Sequence, residues 1–239
     1  GLIRLLTGTM LVYTHWVWGL SLDTFFGTNS WTSAEVVQQF QQSEFAFSFW
    51  WHVPPHLAVA VHYACLAVLV LFALGLFTRL TSIAALAIVI SYVNRVPTAL
   101  FGLDQINGML TLYCAIGPSG LAYSLDSLIR RWRRPEHVSR PSVGANIAIR
   151  LIQLHMCVIY FFAGIAKLQG ETWWNGLAMW YSFANREYQT MSMTWLAEHP
   201  LVVNAMTHLT VFWEIGFCAL IWHRLARPIV LLLAVVLHM

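Results

Sequence analysis

Apolar positions in this chain run in long blocks, and polar positions collect at the block ends. Seven blocks can be drawn: Leu2 to Leu20, His56 to Leu76, Leu80 to Val96, Gly102 to Gly117, Asn146 to Ala166, Leu201 to Trp222, and a last one that starts near Arg227 and is still apolar at Met239. Blocks of this kind match the run of about 20 residues with which a helix crosses a ~30 Å hydrocarbon layer. Helices also satisfy their own backbone groups where no water is available. The pattern therefore predicts an all-α fold, a polytopic transmembrane helical bundle of about seven membrane segments with the last one truncated. Two long connections, 21 to 55 and 168 to 200, contain SAEVVQQFQQSEFAFSFWW and WWNGLAMWYSF. Trp and Tyr gather at membrane–water interfaces, so both connections are expected to lie along the surface as short amphipathic helices. The polar run Gln38 to Gln42 and Glu44 read as the wet face of one of them. Asp104 and Asn107 read as a cap and an outer-face polar group at the start of the fourth block.

Composition strengthens the membrane reading. Hydrophobic residues make up 59% of the 239 residues and charged residues 10%, against about 25% charged in ordinary soluble domains. The first block lacks a small-residue cleavage site and contains Arg4, so no signal peptide is recognised. A chain that opens on Gly1 and stops within an apolar block is expected to be a piece of a longer protein, with residues 1–239 forming a single transmembrane domain. Arginines mark one side of the bundle: Arg130, Arg131, Arg133, Arg134 and Arg140 between the fourth and fifth blocks, with Arg4, Arg79, Arg224 and Arg227 at other ends of the same side. Asp23, Glu35, Glu44, Asp104, Glu171, Glu187 and Glu198 mark the other. The bias of basic residues toward short cytoplasmic loops places the N-terminus in the cytoplasm. The RRWRR run beside a membrane segment reads as a topology signal touching anionic lipid, not as a nucleic-acid surface. Cys65, Cys114, Cys157 and Cys218 lie inside apolar blocks without close pairing and read as small buried hydrophobes.

Lys167 is the only lysine of the chain. An ionisable group within an apolar segment points to a function unless it reaches an interface or a partner. Gln153, Cys157, Tyr160, Gly164 and Lys167 step by four and three along the fifth block and so share one helical stripe. Gly164 admits the close approach of another helix or a ligand. The plain alternative is a lysine that snorkels to the interface beside Trp173 and Trp174; in a desolvated position a lysine can instead act as a base. We expect Lys167 to line a pocket closed by the sixth and seventh segments, with Glu214 or His238 as its polar neighbours. Glu214, at mid-membrane depth, calls for a partner and reads as half of a structural pair with a histidine or arginine of a neighbouring helix. His62, His155 and His208 read as interhelical hydrogen-bonding residues. His52 and His56 have the i, i+4 spacing of a helical metal site, but Pro54 and Pro55 interrupt it, and no metal is assigned.

The stretch IYFFAGIAKLQGETWWNGLAMWY resembles the corresponding part of the vitamin K-dependent γ-glutamyl carboxylase family, whose membrane region belongs to the wider HTTM (horizontally transferred transmembrane) superfamily. Tyr160, Phe161, Ala163, Gly164, Lys167, Leu168, Trp174 and Gly176 carry the match. Arg4 with Gly8, LGLFTRLTS around Arg79, LFGLDQINGMLTLYCAIGPSGLAYSLD, Glu214 and LARPIVLLLAVVLHM up to His238 extend it in order. The resemblance implies that Lys167 is the base that deprotonates reduced vitamin K or another quinol, a lipid-soluble cofactor, at the exoplasmic face. It implies that oxygen then converts the quinol into a stronger base, which takes a proton from a glutamate of a peptide substrate before carbon dioxide adds, a lyase or ligase chemistry in which His238 is also needed. The family's Asn-His pair falls on Val96 and Pro97 here, and its paired lysines on Ala166 and Lys167. The missing Asn-His pair favours either an altered chemistry or a second reading, a non-catalytic membrane module that binds a lipid, peptide or partner protein and uses Lys167 for an anionic group.

Overall fold

The computed structural model describes residues 1–27, 30–41, 46–134, 142–186 and 191–238. Glu44, Arg140, Glu187, Met239 and the last residue of the Gln38 to Gln42 run lie outside the described residues. Among those described there is no strand. Seven long helices follow the seven apolar blocks closely: α1 (Leu2–Gly19), α2 (Ala58–Leu74), α3 (Thr78–Arg95), α4 (Gly102–Ile116), α5 (Val143–Lys167), α6 (Pro200–Leu220) and α7 (Ala226–His238).

Three of them are long and apolar enough to cross a membrane by length and composition: Pro55–Leu74, which adds a 3-10 turn ahead of α2, then α5 and α6. The expectation of seven crossings is not supported on those grounds. In α3 the residues Thr78, Thr81, Ser82, Ser91 and Arg95 all face inward, which lowers the mean hydropathy of a helix whose outer face is apolar. α4 has 15 residues, about 22 Å of helix. α7 has 13, about 20 Å.

The chain divides into two compact units, Gly1–Ile152 and Gln153–Met239, with the boundary inside α5. In the first unit α1 packs on α2 and α4, and α3 packs on the same two helices. Leu11, Leu69, Phe72, Ala85, Ile88 and Val89 fill the centre. A Cβ on Gly8 would fall 2.6 Å from the Cα of Ala73, so α1 and α2 meet at backbone distance there.

The turn between α2 and α3 is held by side chains from both sides. Gly75, at φ +72°, ends α2. The N–H groups of Gly75 and Leu76 return to the carbonyls of Phe72 and Leu71 at 3.0 Å each, the closure a left-handed glycine permits. Arg4 is fully buried and donates through Nη1 to the carbonyls of Phe72 (2.5 Å) and Ala73 (2.7 Å), and through Nη2 to that of Tyr123. On the far side of the turn Asp126 opens α3: its carboxylate accepts from the Phe77 N–H (2.9 Å), the Thr78 N–H (2.7 Å) and the Thr78 hydroxyl (2.5 Å). Partial burial works against the charged carboxylate, but these three donors and the charge of Arg130 outweigh it and hold the carboxyl below its ordinary value.

Several expectations are corrected here. The 21 to 55 connection does form short helices, Leu22–Phe26 and Ala34–Phe40 with a 3-10 turn at Phe49–His52. It does not lie wholly on the surface, because Phe26, Val37 and Trp50 are buried, and the rings of Phe26 and Trp50 pack around Tyr92, with Trp18 against Phe26. His62 does bond between helices, with its Nδ1 2.8 Å from the Tyr92 hydroxyl. His208 bonds instead within its own helix, to the Asn204 carbonyl. His52 and His56 fall on two separate 3-10 turns, so their spacing does not place them on one helical face. Asp104 caps α4 by accepting the Phe101 N–H at 2.9 Å, whereas Asn107 is buried and not an outer-face group. The four cysteines are free, three of them buried and Cys218 half-buried.

Candidate functional site

The second unit is built on α6. Trp213 and Phe217 of α6, Cys157 of α5 and Val230 of α7 form its buried core, with Tyr160 and Leu237 packed against it. The α7 helix is tied to α6 by the indole N–H of Trp213, which donates to the Val230 carbonyl at 3.0 Å.

Lys167 is the last residue of α5, and its ammonium meets the Glu214 carboxylate of α6. Nζ lies 2.9 Å from Oε1 and 2.7 Å from Oε2. The pair is largely enclosed: the two side chains retain 22% and 11% of their exposure. Glu214 is thus the polar neighbour of Lys167, one of the two expected for it, and its own partner is the lysine, not the histidine or arginine expected from its depth. The approach depends on Gly164, one turn before Lys167. A Cβ there would sit 2.6 Å from Ile215 Cγ1 and 3.2 Å from Glu214 Cβ, so any other residue would push α6 away and stretch the ion pair.

A segment that follows α5 closes over the pair. The short helix Glu171–Trp174 brings the Trp173 ring to 5.2 Å from Nζ, within range of a cation–π contact. The next short helix, Ala178–Ala184, is fastened to α6 through Thr207, whose hydroxyl donates to the Gly176 carbonyl (2.9 Å) and accepts the Met179 N–H (3.2 Å). Trp174 donates to the Leu168 carbonyl at 2.6 Å.

Tyr160 and His238 lie one layer from the ion pair. The Tyr160 ring packs against Trp213 at 4.8 Å, Phe217 at 4.6 Å and His238 at 5.9 Å between centroids. His238 is at an exposed position, close to the Trp213 ring, and its Nδ1 is 2.8 Å from the Ala234 carbonyl. Of the five residues selected from sequence, Lys167, Glu214 and Gly164 therefore come together directly, while Tyr160 and His238 share an aromatic cluster beside them. Sequence reading did not single out Trp213 or Thr207. Trp213 adjoins Glu214 in the chain, and a tryptophan next to a membrane carboxylate is a signal that would have pointed to it. Nothing local marks Thr207, because its role depends on a loop about thirty residues earlier in the chain.

In chemical terms the arrangement holds one amine and one carboxylate in contact at the end of a membrane helix, screened by an indole ring. It can bind an acidic hydroxyl or an anionic group, and it can pass a proton between the amine and the carboxylate. A family model described as HTTM domain matches residues 2–239. No curated protein and no solved structure matches the chain.

Proposed function

The chain belongs to the HTTM domain family, and on that premise we propose that this membrane protein binds a lipid-soluble quinol or similar amphiphile and removes its hydroxyl proton with Lys167. The observation that carries the reading is the enclosed Lys167–Glu214 contact, 2.7 Å long, at the end of an apolar helix. A lysine serving only as an anchor needs no carboxylate partner and no glycine to admit one. In the proposed step Glu214 takes the ammonium proton within the pair. The neutral amine then accepts the proton of the bound hydroxyl, and the quinolate is left beside the Trp173 ring. Tyr160 and His238 form the neighbouring wall. Carboxylation of a peptide glutamate, as in the vitamin K-dependent carboxylases, is the family chemistry this step would serve.

The experiment is to reconstitute the full-length protein in liposomes with a reduced naphthoquinone and oxygen and to follow quinol oxidation. Wild type is expected to turn over, and Lys167→Arg to be slower by about 10²–10⁴, the usual contribution of a positioned base, because arginine stays protonated in proteins. Equal rates in the two proteins would remove the base assignment. If neither turns over and both retain an anionic amphiphile equally, the second reading, a non-catalytic binding module, holds instead.

The same reading includes the orientation. All seven long helices cross, the N-terminus and the arginine-bearing 118 to 134 segment are cytoplasmic, and one passage of α5 puts Lys167 at the exoplasmic end. Arginine bias supports this placement, as does the basic helix Leu125–Arg133, suited to the anionic inner leaflet. With a cysteine placed at Arg134 or at Met191, an impermeant thiol reagent added to intact cells should spare the first and label the second. The reverse pattern would invert the topology and move the lysine site to the cytoplasmic face.

A further inference from the structure

The end of the first unit where α1 and α3 finish and α2 begins contains a cavity of about 450 Å³, within the size range of small-molecule sites. Its walls are aromatic, with Phe26 and Trp50 packed at 4.3 Å between ring centroids and Trp51 beside them. Arg95, the last residue of α3, lines it and is 4% exposed. Its guanidinium stands 5.7 Å over the Phe26 ring. Nη1 donates to the Thr32 carbonyl at 3.0 Å and Nη2 to the Ser30 hydroxyl at 3.4 Å. Those bonds leave part of the five-donor fork of an arginine for a further acceptor.

One more feature points to a ligand. On the open side Glu35 lines the same cavity. Its own backbone N–H, the Ser33 hydroxyl and the Arg95 charge keep its carboxyl below the ordinary value, against a small opposing effect of burial.

An anion alone would satisfy Arg95 but would face the Glu35 carboxylate. A cation alone would suit Glu35 and the aromatic faces but would leave the remaining Arg95 donors unanswered. A ligand carrying both charges answers all of them. The cavity also adjoins Pro54 and Pro55, the start of a span long and apolar enough to cross a membrane, so it lies at the level where lipid headgroups are found. We propose that this cavity binds a zwitterionic phospholipid headgroup, with Arg95 on the phosphate and Glu35 with the tryptophan faces on the ammonium.

The test uses the purified full-length protein in detergent and three probes: dihexanoylphosphatidylcholine, dihexanoylphosphatidylglycerol with the same chains and no ammonium, and phosphocholine with no chains. Wild type is expected to prefer phosphatidylcholine. Glu35→Gln, at an exposed position and checked by its melting temperature, should weaken that binding about tenfold, the size expected for one charge-assisted contact. It should leave phosphatidylglycerol binding unweakened. Phosphocholine binding as tightly as the lipid would assign the site to a soluble zwitterion, and binding that requires the chains assigns it to the bilayer. Equal affinity for phosphatidylglycerol and phosphatidylcholine in wild type, or no effect of Glu35→Gln on phosphatidylcholine, would overturn the proposal.

Discussion

Replacing Arg4 with methionine is expected to destabilise the protein by about 3–5 kcal/mol, measured as loss of thermal stability in detergent. The side chain is fully buried, and its guanidinium is shared by the carbonyls of Phe72, Ala73 and Tyr123. Two of those carbonyls belong to the last turn of α2; that of Phe72 also accepts the Gly75 N–H at 3.0 Å, so the guanidinium matters most to Ala73 and Tyr123. Methionine fills comparable space but withdraws the guanidinium from the Ala73 and Tyr123 carbonyls and leaves Phe72 only the Gly75 N–H, and an unsatisfied buried acceptor costs about 1–3 kcal/mol. Arg4→Lys should recover only part of the loss, because a single ammonium cannot fork across three carbonyls as a planar guanidinium does. An Arg4→Met protein that melts like wild type would mean that the clamp on the α2–α3 turn contributes nothing.

How far the sequence discloses this structure can be judged residue by residue. The seven long helices are legible because each is a hydropathy block, and the block ends at Leu76, Val96 and Gly117 fall within two residues of the helix ends. The number of crossings is not legible in the same way. Polar residues that face a neighbouring helix, such as Ser82 and Ser91 of α3, lower mean hydropathy as much as residues that face water. The stripe from Gln153 to Lys167 follows from helical spacing, and the need of Glu214 for a partner follows from the cost of a carboxylate in hydrocarbon. That Glu214 and not His238 answers the lysine does not follow, because the pairing joins residues 47 apart in sequence and periodicity carries no information at that range. Arg4 could be flagged as a charge in an apolar block, but its partners are backbone carbonyls, which every residue has and no sequence distinguishes. His62 and His208 look alike in the chain. One bonds across to Tyr92 and the other back to its own helix, a difference set only by which face meets a neighbour.

The second large effect concerns the ion pair. Removing either charge alone leaves the other enclosed without its counterion, which in a fully buried pair costs about 3–5 kcal/mol. Lys167 keeps about a fifth of its exposure, and water reaching the ammonium reduces the penalty, so about 2–4 kcal/mol is expected for Lys167→Met or Glu214→Leu. Glu214→Gln should cost less than Glu214→Leu, since the amide oxygen still accepts from Nζ. The measurement that most directly tests the lysine as a paired site residue is the double-mutant cycle: Lys167→Met, Glu214→Leu and the combination, each melted in the same detergent. The account predicts that the double variant is more stable than the sum of the two losses would give, by about 1–3 kcal/mol, because the combination leaves no unpaired charge. Strictly additive losses, or a Lys167→Met protein as stable as wild type, would contradict it and return Lys167 to the role of an interfacial anchor.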